Sequence, residues 1–188
     1  EVTSLGCHTD LWAPVANTYS SMVEALGWSR LFPAMRRADD VIGVISPELV
    51  TLTGLAPNIP VATGIHDSNA SLLPHLKAAN APFNVISSGT WTIHMHVGGG
   101  TDWLDPDRDS LANVDYLGRP VPTARFMGGR EFAALVGQGA PAADLADAQK
   151  LINSNLMAIP SFTPGVGPFP NHTGRVEGDI STLNPGEI

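Results

Sequence analysis

Apolar positions along this chain come in short runs, and each run is closed by a glycine, a proline or a polar cluster. Met22, Val23, Ala25 and Leu26 follow the serines at 20 and 21 with helical spacing, and Gly27 provides a stop. Ser46-Pro47-Glu48 predicts a second short helix, an N-cap followed by proline in the first turn, ending near Gly54. Pro60 to Ile65 predicts a short buried strand that runs into His66-Asp67-Ser68-Asn69. Ala70 to Leu76 has helical character, interrupted by Pro74. The Gly6 to Trp12 stretch is expected to be a polar-aromatic loop.

Further on, Phe83–Ser87 and Trp91–Val97 predict paired strands, joined by a tight turn through Ser88, Gly89 and Thr90. Thr101 to Arg119 is polar, carries four aspartates between Asp102 and Asp109, and is expected to be a solvated loop. Val121–Phe126 predicts a strand, Gly129–Val136 a helix, and Asp144 the cap of a helix reaching about Asn153. Pro160 to Pro170 is a Pro- and Gly-rich loop. Composition changes between Leu76 and Pro82, which suggests a domain boundary there. Helices and strands mixed along the whole chain predict an α/β fold.

Composition narrows the function. The chain has 188 residues and 43% hydrophobic content, enough to bury a core, with 15% charged residues. A formal net charge of −8 disfavours nucleic acid as a partner. The single cysteine, Cys7, cannot form an internal disulfide. No apolar run is long enough to span a bilayer, and no signal peptide opens the chain, so a cytoplasmic location without membrane association is expected. A start at Glu1 and a loop-like end lead to the expectation of a piece of a longer protein.

The candidate chemistry centres on two places. Asp67 lies where a strand hands over to a helix, a common ligand position in open α/β sheets. Its carboxylate suits a general base, although a helix N-cap would use the same residue. Downstream, Ser87-Ser88-Gly89-Thr90 is the kind of turn whose amides and hydroxyls cradle phosphate oxygens. Gly128 and Gly129, flanked by Arg125, Arg130 and Glu131, open a helix that could face an anion. His94 and His96 share a face of one strand without an evident third metal ligand.

Gly64-Ile65-His66-Asp67-Ser68-Asn69-Ala70, followed by Ile86-Ser87-Ser88-Gly89-Thr90-Trp91, resembles the FGGY family of carbohydrate kinases, most of all its rhamnulokinase- and fuculokinase-like members. The resemblance implies an actin-like (ribonuclease-H-like) sugar kinase fold. Residues 1–79 would end the first, sugar-binding domain, and 80–188 would begin the second, ATP-binding one. It implies Asp67 as catalytic base and His66 as a sugar contact. Ser68, His8, Asp10, Trp12 and Arg125 are further substrate candidates. Ser88, Gly89, Thr90, Gly128 and Gly129 are candidates for the phosphates of ATP, with Mg²⁺ as cofactor and a cleft between the domains as the site. The family's Asp-x-Gly-Thr phosphate motif and its Gly-rich adenosine motif do not occur among these residues, so the isolated chain is expected to have little kinase activity. Partners would be a sugar and ATP, with a homodimer left open. Two other readings stand beside this one: a non-catalytic sugar-binding module, and a metal-dependent phosphohydrolase built on His66, Asp67, His94 and His96.

Overall fold

The structure is a computed structural model that describes residues 1–137, 142 and 144–183. The chain divides into two compact units. Residues 1–85, 96–104 and 112–122 form the first; 86–95, 105–111 and the residues from 123 onward form the second.

The first unit opens with α1 (Val2–His8), whose N-cap is the side chain of Glu1, accepting from the amides of Thr3 and Ser4. Gly6, Cys7 and His8 therefore close a helix and do not form the expected loop. Serine, threonine and glycine are weak helix formers, so local preference hides this element. Burial makes up the difference: Val2, Cys7 and Val114 form a core cluster against which Trp12 and Met35 pack. Next come β1 (Trp12–Ala13), β2 (Thr18–Tyr19) and α2 (Ser21–Ala25), with Val23 fully buried.

β3 (Val41–Val44) was not expected from the sequence. It pairs antiparallel with β4 (Pro60–Ala62), and α3 (Pro47–Thr53) lies between them in the chain. α3 follows its sequence signals closely: Ser46 caps it, Pro47 starts it, and Gly54 ends it at φ 71°. The strand at Pro60 is shorter than expected and is exposed rather than buried; Val41 and Ile42 on its partner are each 60% exposed. Apolar content shows that a strand can be buried, whereas a second layer decides whether it is. α4 (Asp67–Ala70) and α5 (Leu73–Ala78) are two short helices, with Pro74 in the first turn of the second.

β5 (Phe83–Ser87), β6 (Thr92–Val97), β7 (Ser110–Val114) and β8 (Pro120–Phe126) form a four-stranded sheet in the order β5-β6-β8-β7. Thr92 faces Phe126 and Met95 faces Thr123 in the antiparallel β6–β8 pair. β7 lies in the segment expected to be a loop. The buried carboxylate of Asp115 organises the turn after it, accepting from the amides of Leu117 and Arg119 and from Arg119 Nε at 2.6 Å.

In the second unit, α6 (Gly128–Val136) and α7 (Leu145–Asn153) fall where the sequence places them, and Asp144 forms a capping box with Asp147. β9 (Met157–Ile159) pairs with β10 (Arg175–Glu177). Two carboxylates hold the intervening loop. Glu131, in the first turn of α6 and 7% exposed, accepts from the amides of Phe162 at 2.7 Å and Thr163 at 2.6 Å. Asp109 accepts from the Gly167 amide at 2.8 Å and from Arg125 Nη2 at 2.5 Å. This corrects the expectation of a solvated aspartate loop for Asp109. Burial works to raise the Asp109 pKa, but the Gly167 amide and the Arg125 guanidinium outweigh it and hold the carboxyl below its ordinary value.

Two outcomes are expected from this packing. A Cβ on Gly6 would lie 2.6 Å from Val114 Cγ2. Gly6→Ala should therefore lose roughly 1–3 kcal/mol to overpacking, offset by about 1 kcal/mol of helix preference. Thermal unfolding of Gly6→Ala, Val114→Ala and the double variant checks this, and the double variant should lose less than the sum. Because the Asp109 pKa is depressed in the fold, its stabilisation is present above the ordinary carboxylate value of about 3.9 and is lost as pH falls through the lower folded value. Asp109→Asn should cost about 1–3 kcal/mol at neutral pH. It should also lose less stability than the parent as pH falls below about 4, as measured by denaturant unfolding.

Candidate functional site

His66 and Asp67 sit where the chain leaves β4 and enters α4. His66 is the N-cap position, and Asp67 is the first helical residue. The side chain of Asp67 is therefore not the cap. Its Oδ1 accepts from the Ser68 amide at 2.6 Å and lies 3.2 Å from His66 Nε2. The Asp67 side chain is 93% exposed, that of His66 26%. Ser68 is exposed, and its hydroxyl lies 3.4 Å from the same Asp67 oxygen. An exposed carboxylate already oriented by an amide and next to an imidazole can accept a proton from an incoming hydroxyl.

The support beneath this pair is buried. The His66 amide donates to Thr3 Oγ1 at 2.9 Å, which ties the motif to α1. His66 Nδ1 lies 3.0 Å from Oδ1 of Asn69, a residue only 4% exposed. The same oxygen accepts from Cys7 Sγ at 3.0 Å, and Asn69 Nδ2 donates to the Val114 carbonyl. Burial pushes the Cys7 thiol pKa up, against the lowering effect of its hydrogen bonds to Val114 and Asn69. The thiol therefore remains a donor. Asn69 and Thr3 are the residues that sequence reasoning missed. The available signal was the position of Asn69, two residues beyond Asp67, where a four-residue helix turns it inward.

The other first-unit candidates are more dispersed. Asp10 is exposed in a left-handed conformation at φ 54°. Trp12 packs on the Val2–Cys7–Val114 cluster and edge-on to Tyr19, with ring centroids 5.4 Å apart. The side chain of His8 lies outside the described residues.

In the second unit the structure brings the Gly128–Gly129 pair and the Ser88–Thr90 turn together. The Gly129 amide donates to the Thr90 carbonyl at 3.2 Å. A Cβ on Gly129 would meet the Gly89 carbonyl oxygen at 2.6 Å and Thr90 Cα at 2.9 Å, and one on Gly128 would meet Thr92 Oγ1 at 2.5 Å. The first turn of α6 thus rests directly on the Ser88–Thr90 turn, an approach only glycine allows. Ser88, Gly89 and Thr90 are themselves exposed, and a Cβ on Gly89 would find only the Trp91 carbonyl oxygen, at 3.8 Å. Arg125, paired with Asp109, also lies over the Trp91 ring with its guanidinium carbon 5.4 Å from the centroid.

His96 Nδ1 faces Asn84 Oδ1 at 2.6 Å. Among the described residues no group of three or more His, Cys, Asp or Glu side chains is placed to hold a metal ion. No helix among them is long and apolar enough to cross a membrane.

Residues 80–185 match the family described as carbohydrate kinase FGGY, C-terminal domain. A carbohydrate kinase from Novosphingobium aromaticivorans is similar over 100% of this chain, with 38% identity and a TM-score of 0.85; the chain spans 43% of that structure. The xylulose kinase from Rhodospirillum rubrum is similar in fold over 92% of this chain and 37% of its own, at 19% identity and a TM-score of 0.59. The L-fuculokinase of Escherichia coli (strain K12) is 38% identical over 66 residues, which are 35% of this chain and 14% of that protein. The fold is thus α/β and of the actin-like sugar kinase type. By the match over residues 80–185, the chain belongs to the FGGY family of carbohydrate kinases.

Proposed function

We propose that this chain carries the catalytic-base motif and the phosphate-binding turn of an ATP-dependent kinase. The enzyme would phosphorylate a hydroxyl of a ketose (of the rhamnulose, fuculose or xylulose type) or a polyol. The observation that carries the reading is the Asp67 carboxylate: exposed, oriented by the Ser68 amide, and 3.2 Å from His66 Nε2 in a chain of this family. Residues 1–79 would close the first domain and 80–188 open the second; the family match starting at residue 80 supports that boundary.

Asp67 accepts the hydroxyl proton as the oxygen becomes a nucleophile, and His66 and Ser68 contact the sugar. In the second unit, Ser88, Gly89 and Thr90 offer an exposed turn with no side chain over Gly89, which fits the close approach of nucleotide phosphates. Gly129 keeps α6 against that turn, and Gly128 keeps it against Thr92. ATP with Mg²⁺ supplies the phosphoryl group and charge neutralisation; such an ion is held largely by phosphate oxygens and water, so a dedicated protein cage is not required.

The test is sugar-dependent ADP release by the full-length protein across a panel of ketoses and polyols. Asp67→Asn should lower turnover by roughly 10²–10⁴. A loss of only a few-fold would remove Asp67 from the role of base. Gly129→Ala pushes a Cβ into the Gly89 carbonyl and should lower kcat/KM for ATP by on the order of 10–10², with the sugar KM little changed. Unchanged ATP kinetics in a folded variant would argue against the phosphate turn.

A further inference from the structure

The Ser88–Thr90 turn is tied to α6 at the Thr90 carbonyl, which accepts from the Gly129 amide at 3.2 Å. Immediately after Thr90 the chain passes through Trp91 into β6, so the setting of the turn also depends on where the Trp91 ring is fixed. That ring faces the guanidinium of Arg125, with 5.4 Å between the guanidinium carbon and the ring centroid. Arg125 is in turn aimed by Asp109. Its Nη2 donates to Asp109 Oδ1 at 2.5 Å, and the other carboxylate oxygen accepts from the Gly167 amide at 2.8 Å. The backbone repeats the link, the Arg125 amide donating to the Asp109 carbonyl at 3.0 Å. Arg125 Nε is buried without a hydrogen-bond partner among the described residues. Buried donors are seldom left unmet, so the side chain is set by Asp109 and the indole face and not by a full complement of its own bonds. A planar guanidinium suits this place, because it can bond a carboxylate along one edge while its face covers an aromatic ring. Trp91, Asp109, Arg125 and Gly167 all belong to the second unit.

We propose that Arg125 is a positioning residue for the nucleotide: held by Asp109, it pins the Trp91 ring and so keeps the Ser88–Thr90 turn in the shape that receives the phosphates of ATP. The inference rests on the phosphate-binding reading of that turn. It puts Arg125 on the nucleotide side of the reaction instead of among the sugar contacts. Because the Asp109 carboxylate offsets the charge of Arg125, the effect on the phosphates comes through geometry and not through direct attraction. The two routes differ in sign. Neutralising Asp109 frees the charge of Arg125, which would tighten a direct phosphate contact, whereas it loosens a positioning stack.

Calorimetric titration of the full-length protein with ADP tests this and needs no sugar. Arg125→Met should weaken ADP binding on the order of 10-fold. Asp109→Asn should weaken it in the same direction, and Arg125→Lys, which keeps a cation beside Asp109, should recover part of the loss. Should Arg125→Met not fold, Arg125→Lys carries the same test with a smaller loss. With the ketose that gives the largest ADP release in the panel, Arg125→Met should raise the KM for ATP and leave the sugar KM little changed. The Trp91 fluorescence, taken as the difference between proteins with Trp91 and with Trp91→Phe, should change in Arg125→Met before any nucleotide is added. Unchanged Trp91 emission or unchanged ADP affinity in folded Arg125→Met, or tighter ADP binding in Asp109→Asn, would overturn the inference. If Gly129→Ala weakens ADP binding and Arg125→Met does not, this inference falls and the phosphate turn stands. If neither variant weakens it, the phosphate-turn reading falls with it.

Discussion

A buried amide needs a partner for each end, and in the first unit Asn69 finds them on three different elements. Its nitrogen reaches the Val114 carbonyl on β7; its oxygen is shared by Cys7 on α1 and His66 at the start of α4. Unmet, each of these groups would cost about 1–3 kcal/mol, so their arrangement constrains where the three elements can lie. The His66–Asp67 pair, proposed as the reactive one, is built on that constraint. Asp67 and Ser68 are exposed, while Thr3, Cys7 and Asn69 stay inside and hold His66 beside them. α4 has only four residues, too few to hold itself by cooperativity, so the buried anchors rather than the helix keep the motif in place.

The second unit solves the same problem by a different route. The Ser88–Thr90 turn is seated by backbone contact with α6, through Gly129. Glu131, in the same first turn, fastens the loop at Phe162 and Thr163, and Asp109 fastens it again at Gly167. Two carboxylates acting on amides thus brace the region around the proposed phosphate turn. Arg125 is committed to Asp109 and Trp91, which makes it part of this frame.

Much of this was legible in the sequence where local chemistry decides the outcome. Ser46, Pro47 and Gly54 delimit α3, and Asp144 with Asp147 starts α7. Alternating apolar residues mark β6, and the His66–Asn69 and Ser87–Trp91 segments carry the family resemblance. Where long-range pairing decides, the sequence was silent. α1 is built from weak helix formers and exists because Val2 and Cys7 are covered. β7 reads as polar because of Ser110 and Asn113, and its place beside β8 in the sheet is what makes it a strand. Asp109 looked like one more solvated aspartate, and only the arrival of Gly167 from 58 residues away changes its character. The same holds for Asn69, which is plain in the motif and whose partners at residues 7 and 114 are not.

The contact between α6 and the Ser88–Thr90 turn also bears on how such a protein can change over time. Arg125 and Asp109 meet through side chains, so one drifting residue can be compensated by its partner or replaced by another polar pair. Gly129 meets the Gly89 carbonyl through backbone alone, and no exchange of side chains on the turn can make room for an added Cβ. That junction can tolerate divergence only by moving the helix, which makes it a hinge point of inheritance around which looser contacts are free to turn over.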